Sequence, residues 1–233
     1  PLINTNSVNI NLSQKGDSIK RLHLELGHAS KENMLYSLSK RYKWKGITSD
    51  INSFIRNCNI CQMGAGIPSF SKNKAIITSK IHELIEVDLI GPLLSLDGQK
   101  EYILLVIDHY SKYIETCILK KKDQQLVWNA HKKVWIDKHG IPVMFYSDMG
   151  REFDNEYVRK QVKDLGSEWH YNSPDNHQAV GCVERANQTF FRKFKKLSNF
   201  GTFDSEPYVK KATAATNFSF NRAINTCPYF VMY

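Results

Sequence analysis

Three acidic residues, Asp88, Asp148 and Glu184, are the side chains in this sequence best placed to do chemistry. Fifty-nine residues separate the first two, and 35 separate the second pair. The chain has 23 acidic residues, so no single one is informative; their contexts are. Val87-Asp88-Leu89 and Ser147-Asp148-Met149-Gly150 close hydrophobic runs that read as strands. Val183-Glu184-Arg185-Ala186-Asn187 lies in a long polar and basic run that reads as a helix. Carboxylates converging from two strands and a helix make a divalent-metal site for phosphoryl transfer. Mg²⁺ takes hard oxygen ligands and keeps several waters, so a few carboxylates suffice. Two such ions about 3.5–4 Å apart can hold the attacking and the leaving oxygen of an in-line displacement. Asp88, central on its strand, is expected to bridge the ions, with Asp148 completing one and Glu184 the other. Water or a DNA 3′-hydroxyl is the nucleophile, and no protein nucleophile is required.

A second constellation precedes the first. His23 and His28 have four residues between them, 29 residues follow, and then Cys58 and Cys61 stand two apart. Structural zinc takes four nitrogen or sulfur ligands in a tetrahedron. A Cys-x2-Cys pair suits a knuckle, and the His pair suits a helix end. Read singly, these are surface histidines and free thiols; four in this order predict a structural Zn²⁺ site. The segment between the pairs is expected to fold as helices. One is capped by Ser30, with Met34, Leu35 and Leu38 on one side. Another is capped by Ser49 or Asp50, with Ile51, Phe54 and Ile55 at helical spacing. A core this small needs the metal as a staple.

Other acids compete for the catalytic role. Asp108 is expected to serve the Asp108-His109-Tyr110-Ser111 turn, and Glu152 and Asp154 to sit in a loop. His177 contacts DNA or caps a helix start. Read singly, the three main acids are unrelated surface positions.

The 233 residues are enough for one large or two modest domains. With 42% hydrophobic residues and no run approaching a membrane span, the sequence reads as soluble and without a membrane partner. No signal peptide is evident. Beginning at Pro1, the chain is expected to be a fragment or a piece processed from a longer precursor. Five cysteines, two of them assigned to zinc, leave Cys117, Cys182 and Cys227 in apolar or helical contexts, packed and reduced. The formal charge of +9 points to a polyanionic partner. Its arrangement adds weight, because Arg185, Arg192, Lys193, Lys195 and Lys196 all follow Glu184. Lys120-Lys121-Lys122 reads first as a solvated loop, then as a DNA contact, then as a nuclear import signal.

The elements that must position these residues follow in order. Residues 1–16 read as a polar arm, 17–63 as the zinc unit, 64–80 as a linker and 81–233 as a core. In the core, strands are expected at 81–90 (closed by Gly91-Pro92), 102–108 and 112–119, with a turn at Asp97-Gly98. A helix over 124–138 turns Leu126, Val127, Ala130 and Val134 inward, and Gly140-Ile141-Pro142 stops it. A strand at 143–146 delivers Asp148. A helix at 154–165, a strand at 167–171 and helices at 176–198 and 204–222 complete the chain. The order implies an α/β fold, a ribonuclease H-like core with a mixed five-stranded sheet, behind a small all-α His-His-Cys-Cys domain.

With those motifs in hand, the chain resembles retroviral and LTR-retrotransposon integrases, the gypsy type most closely, from about residue 20 to 233. Gly27-His28-Ala29-Ser30 and Cys58-Asn59-Ile60-Cys61-Gln62 resemble the family's zinc domain. Asp88, Asp148 and Glu184 match its catalytic triad. Val106-Ile107-Asp108-His109-Tyr110-Ser111-Lys112, Ser147-Asp148-Met149-Gly150-Arg151-Glu152-Phe153 and Gly181-Cys182-Val183-Glu184 also match, and Thr226-Cys227-Pro228-Tyr229 resembles the segment that closes the core. The resemblance implies trimming of element cDNA 3′ ends and their joining to target DNA with Mg²⁺ or Mn²⁺. It also implies a homo-oligomer, dimer to tetramer, acting in the nucleus, with a cytoplasmic virus-like particle as a second compartment and a chromatin tether as a further partner. Gln178, Asn187, Gln188, Arg192 and Lys195 are expected near the DNA strand from their proximity to Glu184, while Phe191 packs. Two departures stand out. The family's third domain, a C-terminal β-barrel, has no counterpart in these residues, which predicts weak concerted integration. Met149 follows Asp148 where a small polar residue is usual. The alternatives are a DNA-transposon transposase, a domesticated DNA-binding protein and a ribonuclease H.

Overall fold

The computed structural model describes residues 12–63, 77–95, 97–172, 181–198 and 205–233; the side chains of 12, 13, 181–184 and 205 lie outside that description. The first unit is all helix: α1 Leu12–Glu25, α2 Lys31–Ser39, α3 Ile47–Arg56 and α4 Asn59–Met63. Ile19, Leu26, Ala29, Met34, Leu38 and Ile51 form its core.

Two helix starts and one capping bond here differ from the expectation. α1 starts at Leu12, inside the stretch read as a polar arm. Ser30 occupies the N-cap of α2 in extended conformation but makes no side-chain capping bond. α3 starts at Ile47 behind Gly46, whose left-handed backbone turns the chain into the helix. Asp50 therefore lies in the first turn rather than at the cap, and accepts a hydrogen bond from Trp44 Nε1 at 2.7 Å. Residues 64–76 of the expected linker lie outside the described residues.

The second unit is built on a five-stranded sheet: β1 Leu84–Leu94, β2 Lys100–Asp108, β3 Ile114–Leu119, β4 Met144–Ser147 and β5 Glu168–Tyr171. The order is β3-β2-β1-β4-β5. β1–β2 and β2–β3 are antiparallel, while β1–β4 and β4–β5 are parallel. This is the mixed five-stranded sheet that the order of elements implied. β1 does not stop at Gly91-Pro92. The register shifts between Ile90 and Leu93 and the strand resumes to Leu94, since a bulge accommodates a proline without a ladder N–H. Only glycine fits at 91, because a Cβ there would lie 2.9 Å from the Glu101 carbonyl oxygen.

Alternation along β1 and β2 sends side chains to two cores. Ile85, Val87, Leu104 and Val106 join Val127, Trp135, Phe145 and Val158 on one face. Ile103, Leu105 and Ile107 join Phe190, Phe194 and Val209 on the other. The helices are α5 Gln124–His131, continued by a π-helical stretch Lys132–Ile136 and α6 Asp137–His139, then α7 Glu156–Asp164, α8 Gly181–Leu197, α9 Ser205–Asn217 and α10 Pro228–Met232.

Asp123 caps α5, accepting from the Gln125 and Leu126 amides. Leu126, expected to face inward, is exposed, and Val127, Trp128 and His131 carry the buried face. The wider π turn then lets three successive residues, Val134, Trp135 and Ile136, all bury. α7 begins two residues later than expected, because Asn155 caps it by accepting from the Val158 amide. α9 ends at Asn217, five residues before the expected 222. The Asn217 side chain leaves the helix to pair with the edge of β3, accepting from Ile114 N and donating to Ile114 O, both at 2.9 Å. No helix among the described residues is long and apolar enough to cross a membrane.

Candidate metal centres

The first centre is assembled from three helix ends. His23 lies in the last turn of α1, and His28 follows it at φ 58°. Cys58 precedes α4, and Cys61 lies within it. The four ligand atoms fall within 4.8 Å of one another. His28 Nδ1 is 3.2 Å from Cys58 Sγ, His23 Nε2 is 3.3 Å from Cys61 Sγ, and His28 Nδ1 is 3.8 Å from Cys61 Sγ. Zinc bonds of about 2.0–2.3 Å in a tetrahedron give edges of roughly 3.3–3.8 Å. The four residues fit that ion in type, number and spacing. Burial holds His23 down to about 4 and also lowers His28, so both are neutral imidazoles, the ligating form. Burial pushes the Cys61 thiol up to about 11; a thiolate there needs a cation.

The second centre lies where β1 and β4 run in parallel. Glu86 pairs with Tyr146, so Asp88 and Asp148, each two residues on, stand side by side where β4 ends. That position, beyond the carboxyl end of the parallel strand β4, is where α/β sheets place their ligands. Asp88 accepts a hydrogen bond from the Leu89 amide at 2.7 Å and another from Asn187 Nδ2. Asp148 accepts from the Gly150 amide at 3.0 Å. A Cβ on Gly150 would lie 3.0 Å from Asp148 Oδ1 and 2.9 Å from Glu152 Cδ, so glycine lets these two acids share the turn.

Burial raises the Asp88 pKa above the usual carboxylate range, the Leu89 amide opposes this, and the negative charge of Asp148 raises it further. Asn187 and Lys122 pull it back. The two aspartates are therefore close enough to repel. Repelling carboxylates of which one is desolvated are a donor set that a divalent cation relieves.

Glu184 stands on α8 three residues before Asn187. Residues at that spacing share a helix face one turn apart. The backbone of Glu184 is thus one turn from a residue bonded directly to Asp88, while its side chain lies outside the described residues, as do Gln178 and His177 entirely. Of the residues expected along DNA, Gln188, Arg192 and Lys195 are exposed on α8. The Lys195 ammonium sits 4.6 Å from the Phe191 ring centre, and Phe191 packs against the core as expected. Asn187 is engaged with Asp88 instead.

Asp108 has the structural task foreseen for it: it accepts from His82 N at 2.9 Å, Ser111 N at 2.7 Å and Ser111 Oγ at 2.6 Å. Asp154 pairs with Arg159. Glu152 pairs with Lys122 at 3.2 Å; Lys120, Lys121 and Lys122 are all exposed, as a solvated loop requires, and Lys122 also reaches toward the acidic centre. Lys122 was legible only as part of a charge run. Asn187 had a usable signal, its three-residue spacing from Glu184.

Comparison with known proteins gives a two-part result. The family model for an integrase zinc binding domain matches residues 10–65, and that for an integrase core domain matches residues 79–177. The retrovirus-related Pol polyprotein from transposon 412 of Drosophila melanogaster is 24% identical over 228 residues, 96% of this chain and 18% of the polyprotein. The chain spans under a fifth of the length of the curated Pol polyproteins it matches. Among solved structures, a simian T-cell lymphotropic virus intasome in complex with PP2A regulatory subunit B56 gamma aligns with TM-score 0.62 at 12% identity, covering 92% of this chain and 74% of that one. The HTLV-2 integrase catalytic core domain in complex with magnesium aligns at 0.56 and 15% identity, covering 66% and 98%. At these identities the structural likeness establishes a common fold.

Proposed function

We propose, for a chain that belongs to the integrase family through both its zinc-binding and its core domain, that it trims the 3′ ends of the cDNA of a retrotransposon or retrovirus-like element and joins them to target DNA. One observation carries this reading: Asp88, midway along β1, stands beside Asp148 just past the end of β4, and Asn187 ties Asp88 to the helix bearing Glu184. When bound, Mg²⁺ or Mn²⁺ ions supply the positive charge that steadies the attacking and leaving oxygens at phosphorus.

The chain's own residues supply the frame. Asp88, Asp148 and Glu184 would hold the metal. Asn187 fixes the Asp88 carboxylate through its amide, and the Leu89 amide fixes the other oxygen. Lys122 offsets part of the site's negative charge in the absence of metal. Gln188, Arg192 and Lys195 offer an exposed polar and basic stripe for the sugar–phosphate backbone. Gln178 belongs to the same DNA-facing set in this reading.

His23, His28, Cys58 and Cys61 hold a structural Zn²⁺. The reading also carries a homo-oligomer on two DNA ends, action in the nucleus and a chromatin tether. An RNA–DNA hybrid substrate is the rival, and one assay separates them. The chain is given labelled duplex DNA and a labelled hybrid of the same sequence with Mg²⁺. Shortened and joined DNA strands, reduced about 100-fold or more in Asp148→Asn, are expected. Degradation of the hybrid alone contradicts the proposal.

A further inference from the structure

The helix that carries Glu184 and Asn187 runs on, and its last two turns lie under the His/Cys unit. A Cβ on Gly27 would sit 3.3 Å from Lys193 Cβ and 3.4 Å from Leu197 Cδ1, and Gly27 has φ 64°. The turn between His23 and His28 therefore rests directly on α8. Its support is rigid: Lys193 is 7% exposed and donates to Ala215 O at 2.6 Å and to Ser219 Oγ at 2.5 Å, which locks α8 to the end of α9. One helical turn on, Lys196 Nζ lies 3.7 Å from Cys61 Sγ. Three more contacts seat the unit on the core. Tyr36 Oη bonds Thr226 Oγ1 at 2.9 Å, the Tyr36 and Phe220 rings lie 4.9 Å apart, and Arg222 donates to Glu32 at 2.9 Å.

We infer that Lys196, a core residue, is the hydrogen-bond donor to the zinc-ligating Cys61 thiolate, so that zinc binding and the seating of the His/Cys unit on the catalytic helix are one linked equilibrium. The inference rests on the zinc reading given above. A donor to a ligating sulfur orients it and spreads its charge, and loss of such a partner weakens metal binding typically 10–100-fold. Lys196 is suited to this by position. It approaches the sulfur, the negative member of the site, from the one helix that also reaches the carboxylate centre, where Asn187 lies nine residues away, about 13 Å along the axis. By reciprocity, whatever zinc adds to docking, docking adds to zinc affinity.

The test uses the whole 233-residue chain. Zinc affinity is measured by competition with a chromophoric chelator for wild type, Lys196→Met and Lys196→Arg. Backbone hydrogen exchange over residues 190–198 is followed in zinc-loaded and zinc-stripped protein. Lys196→Met is expected to bind zinc about 10-fold or more weakly, Lys196→Arg to recover most of the loss, and zinc removal to speed exchange at the end of α8 in wild type. Equal zinc affinity in wild type and Lys196→Met, or α8 exchange indifferent to zinc, overturns the inference. A wild-type chain that binds no zinc overturns the zinc reading itself, and this inference with it.

Discussion

Burial and the facing Asp148 push the Asp88 carboxyl above its ordinary range, so the metal-free protein holds this group at a disadvantage. In that state the native form binds the proton more tightly than the unfolded chain does. Stability is then lost as pH rises from the unfolded value of about 4 through the raised folded one. Asp88→Asn removes the penalty. Thermal unfolding at pH 7 is expected to show the variant at least as stable as wild type without metal, and Mg²⁺ to raise the midpoint of wild type but not of the variant. A variant that is still stabilised by Mg²⁺ speaks against Asp88 as a ligand. Asn187 acts on the same carboxylate. Its amide donates to Asp88, and its Oδ1 is buried with no hydrogen-bond partner among the described residues, so its role is to hold the carboxylate. Hydrogen bonds to charged groups contribute about 1.5–3 kcal/mol. Asn187→Ala should therefore lower DNA joining roughly 10–100-fold while duplex affinity changes little. A loss confined to duplex affinity would return Asn187 to the DNA-contact role that its spacing first gave it.

At the scale of elements, the turn from β2 to β3 depends on one acid. Asp108 is fully buried and satisfies two backbone amides and a hydroxyl. Asp108→Ala leaves these donors unpaired in the interior, and urea unfolding should show a loss of roughly 3 kcal/mol; a change within 0.5 kcal/mol, the ordinary range for an exposed site, would contradict the turn's dependence on it. The sequence made this residue readable, because an acid ending a strand and followed three residues later by serine suits a tight turn. The strands themselves were legible from apolar runs, and the His/Cys cluster and the neighbouring Asp88 and Asp148 from residue type and spacing. What escaped was set by contacts distant in sequence. Leu126 faces out because the helix turns Val127, Trp128 and His131 to the core instead. α9 stops at Asn217 because that amide pairs with the edge of β3, about 100 residues earlier. Lys122, exposed like its neighbours, pairs with Glu152, 30 residues later in the chain.

At the scale of the molecule, the two units meet along the end of α8 and along residues 220–226. Among the described residues, six buried hydrophobic side chains make up the core of the His/Cys unit, too few to stand without a staple. Zinc removal by a strong chelator is expected to unfold residues 12–63 and leave the sheet intact: helical far-ultraviolet signal falls, while exchange protection in β1 and β2 persists. Chelation without loss of helix would show that the unit is held by its seat on α8 instead. Charge also acts at this scale. The formal +9 is spread over the chain, but the exposed residues of α8 place part of it next to the acidic centre, where a phosphate backbone would run past the metals.

The central claim is that Glu184 completes the centre formed by Asp88 and Asp148 and that this centre joins DNA. Strand transfer of a labelled, pre-trimmed element-end duplex with Mn²⁺, comparing the chain with Glu184→Gln, tests it most directly. Joined products from the chain, lost in the variant while zinc content and duplex binding stay unchanged, are the expected result. Equal joining by both proteins would contradict the account, since the third carboxylate would then have no part in the chemistry.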